Sequence, residues 1–483
     1  MKETIKDQLA KSEREGAALE PGPEERAKLR KEVVEYLESY IEELPEGKAF
    51  GRDPGPRGGL QQPAELNPTH SLTQLIEILK TEIDPVGINA ASGGHLGYIP
   101  GGGIYTAGLG DWIAAVTNHY AGIFFGSPGA VRMENALIRD IASWVGYPSD
   151  AVGNLSSGGS MANLIGIVSA REALQINSQN VRQSVVYSST QAHHCLKKAF
   201  RIAGLGEMVW RDIPLDKQFR MQPRQLQNQI AEDLQQDLKP TILLASAGST
   251  DTGAIDPLDN MADIAEKHGM WFHVDAAYGG FFSLLPEEKA QFQGMERSDS
   301  LVLDPHKGLF LPYGLGVALV KKPRPALDAH HYTANYMQDA RDAQTELSPA
   351  DLSPELTKHF RALRLWLPLH LHGLQPFVAQ LREKRLLALY LAQRLPSLGF
   401  ALVCPPQLSV VAFYWAQGPS SEWNNHTRSI LQQLEDHGQI FLSSTRLDGR
   451  FVIRAAILSF RTHLRTIDTL IDLLAQFRPS VKE

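Results

Sequence analysis

The chain has 483 residues, too many for one simple core, so two or three domains are expected. Apolar residues at 43% and charged residues at 21% are ordinary for a folded protein, and a net charge of −7 without a basic block argues against a nucleic-acid partner. No apolar run reaches the roughly 18 residues of a membrane span, and the start Met1-Lys2-Glu3-Thr4 opens no signal-peptide core, so the expectation is a cytoplasmic protein with no membrane partner.

The first predicted element is an amphipathic helix over 23–43, with Leu29, Val33, Leu37, Tyr40 and Ile41 on one face. Leu44 to Pro68 holds five prolines and five glycines and reads as an extended arm. Residues 1–70 are therefore taken as a helix and linker arm. From 71 to 366 the pattern is that of a large α/β domain. Gly153 to Leu164 is a glycine turn opening a helix. Short strands are expected at Ser184 to Tyr187, Thr241 to Ala245, Met270 to Val274, Leu301 to Leu303 and Gly316 to Val320, with helical stretches between them, as in a mostly parallel sheet. Between Lys322 and Ser353 the periodicity fades, which suits either an active-site lid or a surface loop. Residues 367–483 read as a small α+β domain. Leu387, Leu391 and Leu395 share a helical face, Leu408 to Trp415 and Phe451 to Ile457 look like strands, and Ile467, Leu470, Ile471, Leu474 and Phe477 line a final helix.

Two cysteines, Cys195 and Cys404, lie in no metal-ligand spacing, and no metal is expected. Cys195 follows His193 and His194, but adjacent helical residues point different ways, so a nucleophile pair is disfavoured.

The chemistry concentrates at strand ends. Asp275 follows the apolar run ending at Val274, and Asp304-Pro305-His306-Lys307-Gly308 follows Leu303. A carboxylate and a lysine at the carboxyl ends of two such strands face one crevice of an open α/β sheet. Alone, such a lysine is usually a solvated loop residue and such an aspartate a helix cap. Together they are what pyridoxal phosphate chemistry needs. The amine forms a Schiff base with the cofactor aldehyde, and the carboxylate keeps the pyridinium nitrogen protonated. Gly158-Gly159-Ser160, before an apolar helix, offers the amides and hydroxyl that a phosphate requires.

Four segments, Ser157 to Leu164, Gln191-Ala192-His193, His273 to Gly280 and Asp304 to Lys307, resemble in order and spacing the group II pyridoxal-dependent amino acid decarboxylases. The likeness runs from about Ser71 to the C-terminus. It implies a type I pyridoxal-phosphate transferase fold with a mostly parallel seven-stranded sheet, and a homodimer with the N-terminal segment packed across the partner. It implies decarboxylation of an L-amino acid to an amine and carbon dioxide with pyridoxal 5′-phosphate as cofactor. By resemblance Gly159 and Ser160 hold the phosphate, His193 stacks on the ring, and Asp275 pairs with the ring nitrogen. Ala277 packs beneath the ring, Ser249 and Thr250 place hydroxyls near its substituents, and Lys307 bears the Schiff base. His306 is a proton relay or a structural partner. Asp304 stands where some relatives carry an asparagine that contacts phosphate, and is expected to bond through water or its backbone. Gly97 to Gly103, Phe124 and Phe125 match segments lining the substrate pocket, and Arg132 is a candidate partner for an acidic substrate group. The tyrosine that protonates the substrate carbon in aromatic relatives is missing near Pro349, which leaves Tyr332 and Tyr336 as substitutes. The same absence opens two other readings, an aldehyde-forming oxidative decarboxylase and another α-carbon lyase. A catalytically silent binding protein is the alternative of another class.

Overall fold

Seven strands form the main sheet of the computed structural model, which describes residues 4–62, 70–331 and 346–479. They are β1 (Val152–Ser156), β2 (Ser184–Ser188), β3 (Val209–Asp212), β4 (Lys239–Ser246), β5 (Trp271–Asp275), β6 (Ser300–Leu303) and β7 (Gly316–Val320). Their order is β1-β7-β6-β5-β4-β2-β3. All neighbours pair parallel except β7, which runs antiparallel to both β1 and β6. Every residue of β2, β5, β6 and β7 is buried. That is why these strands read as continuous apolar runs rather than alternating ones: helices cover both faces of the sheet.

Two strands differ from the sequence reading. Gly153 to Ser156 belongs to β1, and the glycine turn shrinks to Ser157 and Gly158 before the helix Gly159–Ala173. Gly153 mimics a turn but serves packing, since a Cβ there would sit 2.5 Å from the Ala318 carbonyl on β7. Strand β3 is a half-buried edge, Val209-Trp210-Arg211-Asp212, with too little apolar pattern to announce itself.

The C-terminal region builds a second sheet, entirely antiparallel, from β8 (Phe400–Leu402), β9 (Val410–Trp415), β10 (Ser443–Leu447) and β11 (Arg450–Ala456), in the order β8-β9-β11-β10. Leu391, Phe413, Ile453 and Leu470 join its core with the helices Gln375–Arg394, Trp423–His437 and Leu464–Phe477. The helix Ala362–His372 spans Trp366 and Leu367 and ends at Gly373, whose φ of 69° breaks it.

The arm begins with a helix absent from the sequence reading, Ile5–Gly16, opened by a reciprocal cap between Thr4 and Asp7. The second helix runs Pro23–Glu43. Neither helix buries a residue. The arm is not wholly extended, because Phe50–Gly51 pairs with Gly87–Ile88. The weak pattern after Lys322 also conceals structure: the helix Pro323–His330 buries Ala326, and Pro349–Leu352 forms a buried single turn. Tyr332 and Tyr336 lie outside the described residues.

Candidate active site

Strands β4, β5 and β6 end side by side, and the helix Gly159–Ala173 starts beside them. Between these ends lies a cleft of about 370 Å³. Gly159, Ser160, His193, Ser249, Asp275, Ala277, His306 and Lys307 all line it.

Lys307 sits on a single helical turn after β6. Its Nζ lies 2.9 Å from Asp304 Oδ2. Burial pulls the ammonium down, but the Asp304 carboxylate, then Asp275, outweigh it, and the net shift is upward. Asp304 is 1% exposed and is hemmed in by two glycines. A Cβ on Gly159 would come within 2.8 Å of its Oδ2, and one on Gly316 within 2.8 Å of its Oδ1. Its backbone carbonyl accepts the amides of Lys307 and Gly308. Besides the backbone role expected of it, Asp304 pairs its carboxylate directly with the lysine.

Asp275 closes β5 at 9% exposure. Its Oδ1 accepts the Ala277 amide at 3.1 Å and its Oδ2 accepts Asn163 Nδ2–H at 3.2 Å. His193 accepts the Cys195 amide on Nδ1 at 3.3 Å, so its proton is on Nε2. Burial lowers its basicity, with Asp275 opposing, which favours the neutral ring. Cys195 itself is pushed up to about 12 by burial and stays a thiol, as the disfavoured nucleophile reading implied. His306 donates from Nδ1 to the Leu315 carbonyl at 2.6 Å and meets the Tyr313 ring edge-on, with its Nε2 3.8 Å from Asp304 Oδ2. Ser249 Oγ accepts the Ala254 amide and contacts Thr252 Oγ1, so it is largely spent on its own turn.

Other candidates lie elsewhere. Arg132 pairs with Glu346 at 3.0 Å and covers the Phe124 ring, and none of Arg132, Phe124 and Phe125 lines the cleft. The glycines of 97–103 do not line the cleft either. A Cβ on Gly101 would meet the His306 carbonyl at 2.1 Å, so the segment is laid against the lysine turn. Pro349 is buried with its carbonyl on Asn154, outside the cleft.

Three residues given no role by the sequence matter here. Asn163 holds Asp275. Tyr313 forms part of the cleft wall, and its carbonyl is held by Arg364 at 2.6 Å. Arg454 reaches from β11 to the carbonyls of Thr250 and Asp251, which ties the small domain to the cleft wall. Of these, only Asn163 carries a signal, as an amide on an otherwise apolar helix face.

The cleft suits pyridoxal phosphate. No side chain caps the helix Gly159–Ala173, and Gly158 with φ of 146° opens it, which leaves first-turn amides for an anion. Asp304 Oδ1 is buried without a partner among the described residues. The volume is within the range of about 300–1,000 Å³ typical of cofactor and ligand sites. Amine, carboxylate and anion cradle thus line one cleft, and these are the kinds of group that the cofactor's aldehyde, ring nitrogen and phosphate would need.

This combination places the protein in the α/β class of pyridoxal phosphate enzymes. A sequence profile of the pyridoxal-dependent decarboxylase conserved domain matches residues 63–416. The chain is 30% identical over 397 residues to an aromatic-L-amino-acid decarboxylase of Bacillus atrophaeus, covering 80% of this chain and 81% of that one. It is 27% identical over 440 residues to a phenylacetaldehyde synthase of Arabidopsis thaliana, covering 88% and 90%. Its structure is similar to that of Catharanthus roseus tryptophan decarboxylase in complex with L-tryptophan, with a TM-score of 0.87 at 25% identity, covering 95% and 98%. The chain belongs to the pyridoxal-dependent decarboxylase family and is a carboxy-lyase that uses pyridoxal 5′-phosphate to decarboxylate an amino acid.

Proposed function

We propose that the substrate is an aromatic L-amino acid and the product its amine. The observation that carries this is the charge of the cleft wall. Among the described residues it contains no arginine and no lysine other than Lys307, while Tyr313 adds an aromatic ring. An acidic side chain would be buried there unpaired, which is costly. The aromatic specificity carried in relatives' names points the same way. An amino acid panel that measures carbon dioxide, amine, aldehyde and peroxide tests it. Preferred turnover of glutamate or aspartate would overturn it.

The bound cofactor supplies an electron sink for the bond that breaks at the substrate α-carbon. In this reading Lys307 carries the cofactor by its amine, and Gly159 and Ser160 hold the phosphate at the helix N-terminus. Asp275 keeps the ring nitrogen protonated, and Ala277 leaves room beneath the ring. His193, neutral and lining the cleft, would stack on the ring and donate from Nε2–H to the substrate carboxylate. Ser249 and Thr250 shape the wall near the ring substituents.

A second reading, aldehyde formation, is favoured by position 349. There the tyrosine expected from the resemblance is a buried proline, and relatives include phenylacetaldehyde synthases. The peroxide measurement separates the two.

We further propose a cytoplasmic homodimer made of an arm over 1–70, a large domain over 71–366 and a small domain over 367–483. Exposed Ile5, Leu9 and Leu19 on the arm, with Trp112, Ile113 and Val116 on the helix Tyr105–Thr117, support a second copy as their cover. Two unpaired cysteines suit a reducing compartment. Sedimentation velocity gives the oligomeric state, and a monomer at micromolar concentration would refute the dimer.

A further inference from the structure

The helix Gly159–Ala173 carries one fully buried amide, Asn163. Its Nδ2 donates to Asp275 Oδ2 at 3.2 Å, and its Oδ1 lies 2.8 Å from His273 Nε2. His273 Nδ1 lies 2.8 Å from the hydroxyl of Ser300, its cross-strand neighbour on β6. Ser300 Oγ in turn accepts Trp271 Nε1–H at 2.8 Å. Asn163 and His273 are 0% exposed, Ser300 is 1% and Trp271 is 6%, so water does not complete these bonds.

The direction of every link follows from one end. An ionised carboxylate only accepts, so Asn163 turns its NH2 to Asp275 and its carbonyl to His273. The imidazole must then carry its proton on Nε2. Nδ1 is left bare and takes the Ser300 hydroxyl hydrogen, while the Ser300 oxygen takes the indole N–H. Trp271, Ser300, His273 and Asn163 thus each donate to the next, and the last donates to Asp275. Bonds aligned this way polarise one another. An Asp275 carboxyl O–H aimed at Asn163 would require Asn163 and His273 to reverse. The Ser300 oxygen would then accept from both rings, and its own hydrogen would lose its place in the chain.

The helix is shaped for this chain. A Cβ on Gly166, one turn after Asn163, would come 2.9 Å from His273 Cε1 and 3.0 Å from its Nδ1. The glycine makes room for an imidazole between helix and sheet.

We propose that Asn163 is a positioning residue that holds the Asp275 carboxylate as an acceptor aimed at the cofactor ring nitrogen, with His273, Ser300 and Trp271 as the buried chain that orients it. This rests on the reading of Asp275 as the partner of the ring nitrogen. The test loads the holoenzyme with pyridoxal phosphate labelled with ¹⁵N in the ring and records the ring-nitrogen chemical shift alongside kcat and KM. Asn163→Leu and His273→Phe keep the volume and remove the link. Each moves the signal toward that of an unprotonated ring and lowers kcat by ~10–100-fold, the scale of lost outer-shell partners, with KM nearly unchanged. His273→Gln places an N–H near the Nε2 position and recovers most of the shift and rate. A merely structural role would lower stability and leave the ring nitrogen as in the wild type. Loaded Asn163→Leu with the wild-type shift and kcat overturns the proposal. If that variant does not fold, the histidine pair decides, and equal effects of His273→Gln and His273→Phe overturn it. Asp275→Asn is the control. If it leaves the ring nitrogen protonated, the reading of Asp275 fails; if it alone moves the signal, only the chain fails.

Discussion

Replacing Asp275 with asparagine keeps the outline of the side chain and changes two things that the structure makes countable. The first is hydrogen bonding. The carboxylate uses one oxygen on the Ala277 amide and the other on Asn163 Nδ2–H. Asparagine has a single acceptor oxygen. With the Asn163 chain as it stands, its NH2 confronts a donor and one buried N–H loses its partner; with that chain reversed, the Ser300 hydroxyl hydrogen is left over instead, and either loss costs ~1–3 kcal/mol. At 9% exposure, water does not replace that partner. The second change is the loss of charge beside the ring nitrogen, an electrostatic contribution of several kcal/mol, or ~10²-fold or more in kcat/KM. The two effects separate experimentally. Unfolding of the cofactor-free protein reads mainly the first, and turnover of the loaded protein reads mainly the second. We expect a lower melting temperature without cofactor, weaker but measurable cofactor binding, and turnover down by at least that factor. Wild-type stability together with near wild-type kcat/KM would refute both the hydrogen-bond count and the ring-nitrogen assignment.

Lys307→Ala is expected to abolish turnover and the yellow absorbance of lysine-bound cofactor; an unchanged spectrum would remove Lys307 from the chemistry. Tyr313→Phe removes a cleft-wall hydroxyl with no hydrogen-bond partner among the described residues. If that hydroxyl protonates the substrate carbon, amine formation slows and the aldehyde-to-amine ratio rises, and an unchanged rate and ratio exclude it. His95 and His273 are each pulled down to about 4 by burial. The fold therefore holds them neutral, while the unfolded chain takes up protons near pH 6.5. Their stabilisation is complete above that pH and is lost as pH falls toward about 4, at roughly 1.4 kcal/mol per pH unit for each histidine. Melting of the cofactor-free protein between about pH 7 and 4.5 measures it. His95→Gln is expected to remove one histidine's share of that slope, and a flat wild-type profile would contradict the burial.

What the sequence displayed and what it hid divide along physical lines. Strands β5, β6 and β7 were legible because burial on both faces writes itself as an unbroken apolar run, and the residue after such a run lies at the crevice. Asp275 and Lys307 could be placed on that basis. Strand β1 was misread because Gly153 and Asn154 look like a turn. They are in fact demanded by the close approach of β7 and by the Pro349 carbonyl, and contacts between distant segments leave no local pattern. Asp304 shows the same limit in electrostatic form. Read alone, it stood where relatives carry an asparagine that contacts phosphate. In place, it is the counter-ion that holds Lys307 charged before cofactor arrives, enclosed by Gly159 and Gly316 from two other elements. Asn163 shows it for hydrogen bonds. Its role depends on Asp275 accepting, and that fixes a histidine tautomer on β5 and a hydroxyl on β6. Single segments could identify the groups that do the chemistry. The partners that set the charge state of those groups come from segments far apart in the chain, and only the folded arrangement brings them together.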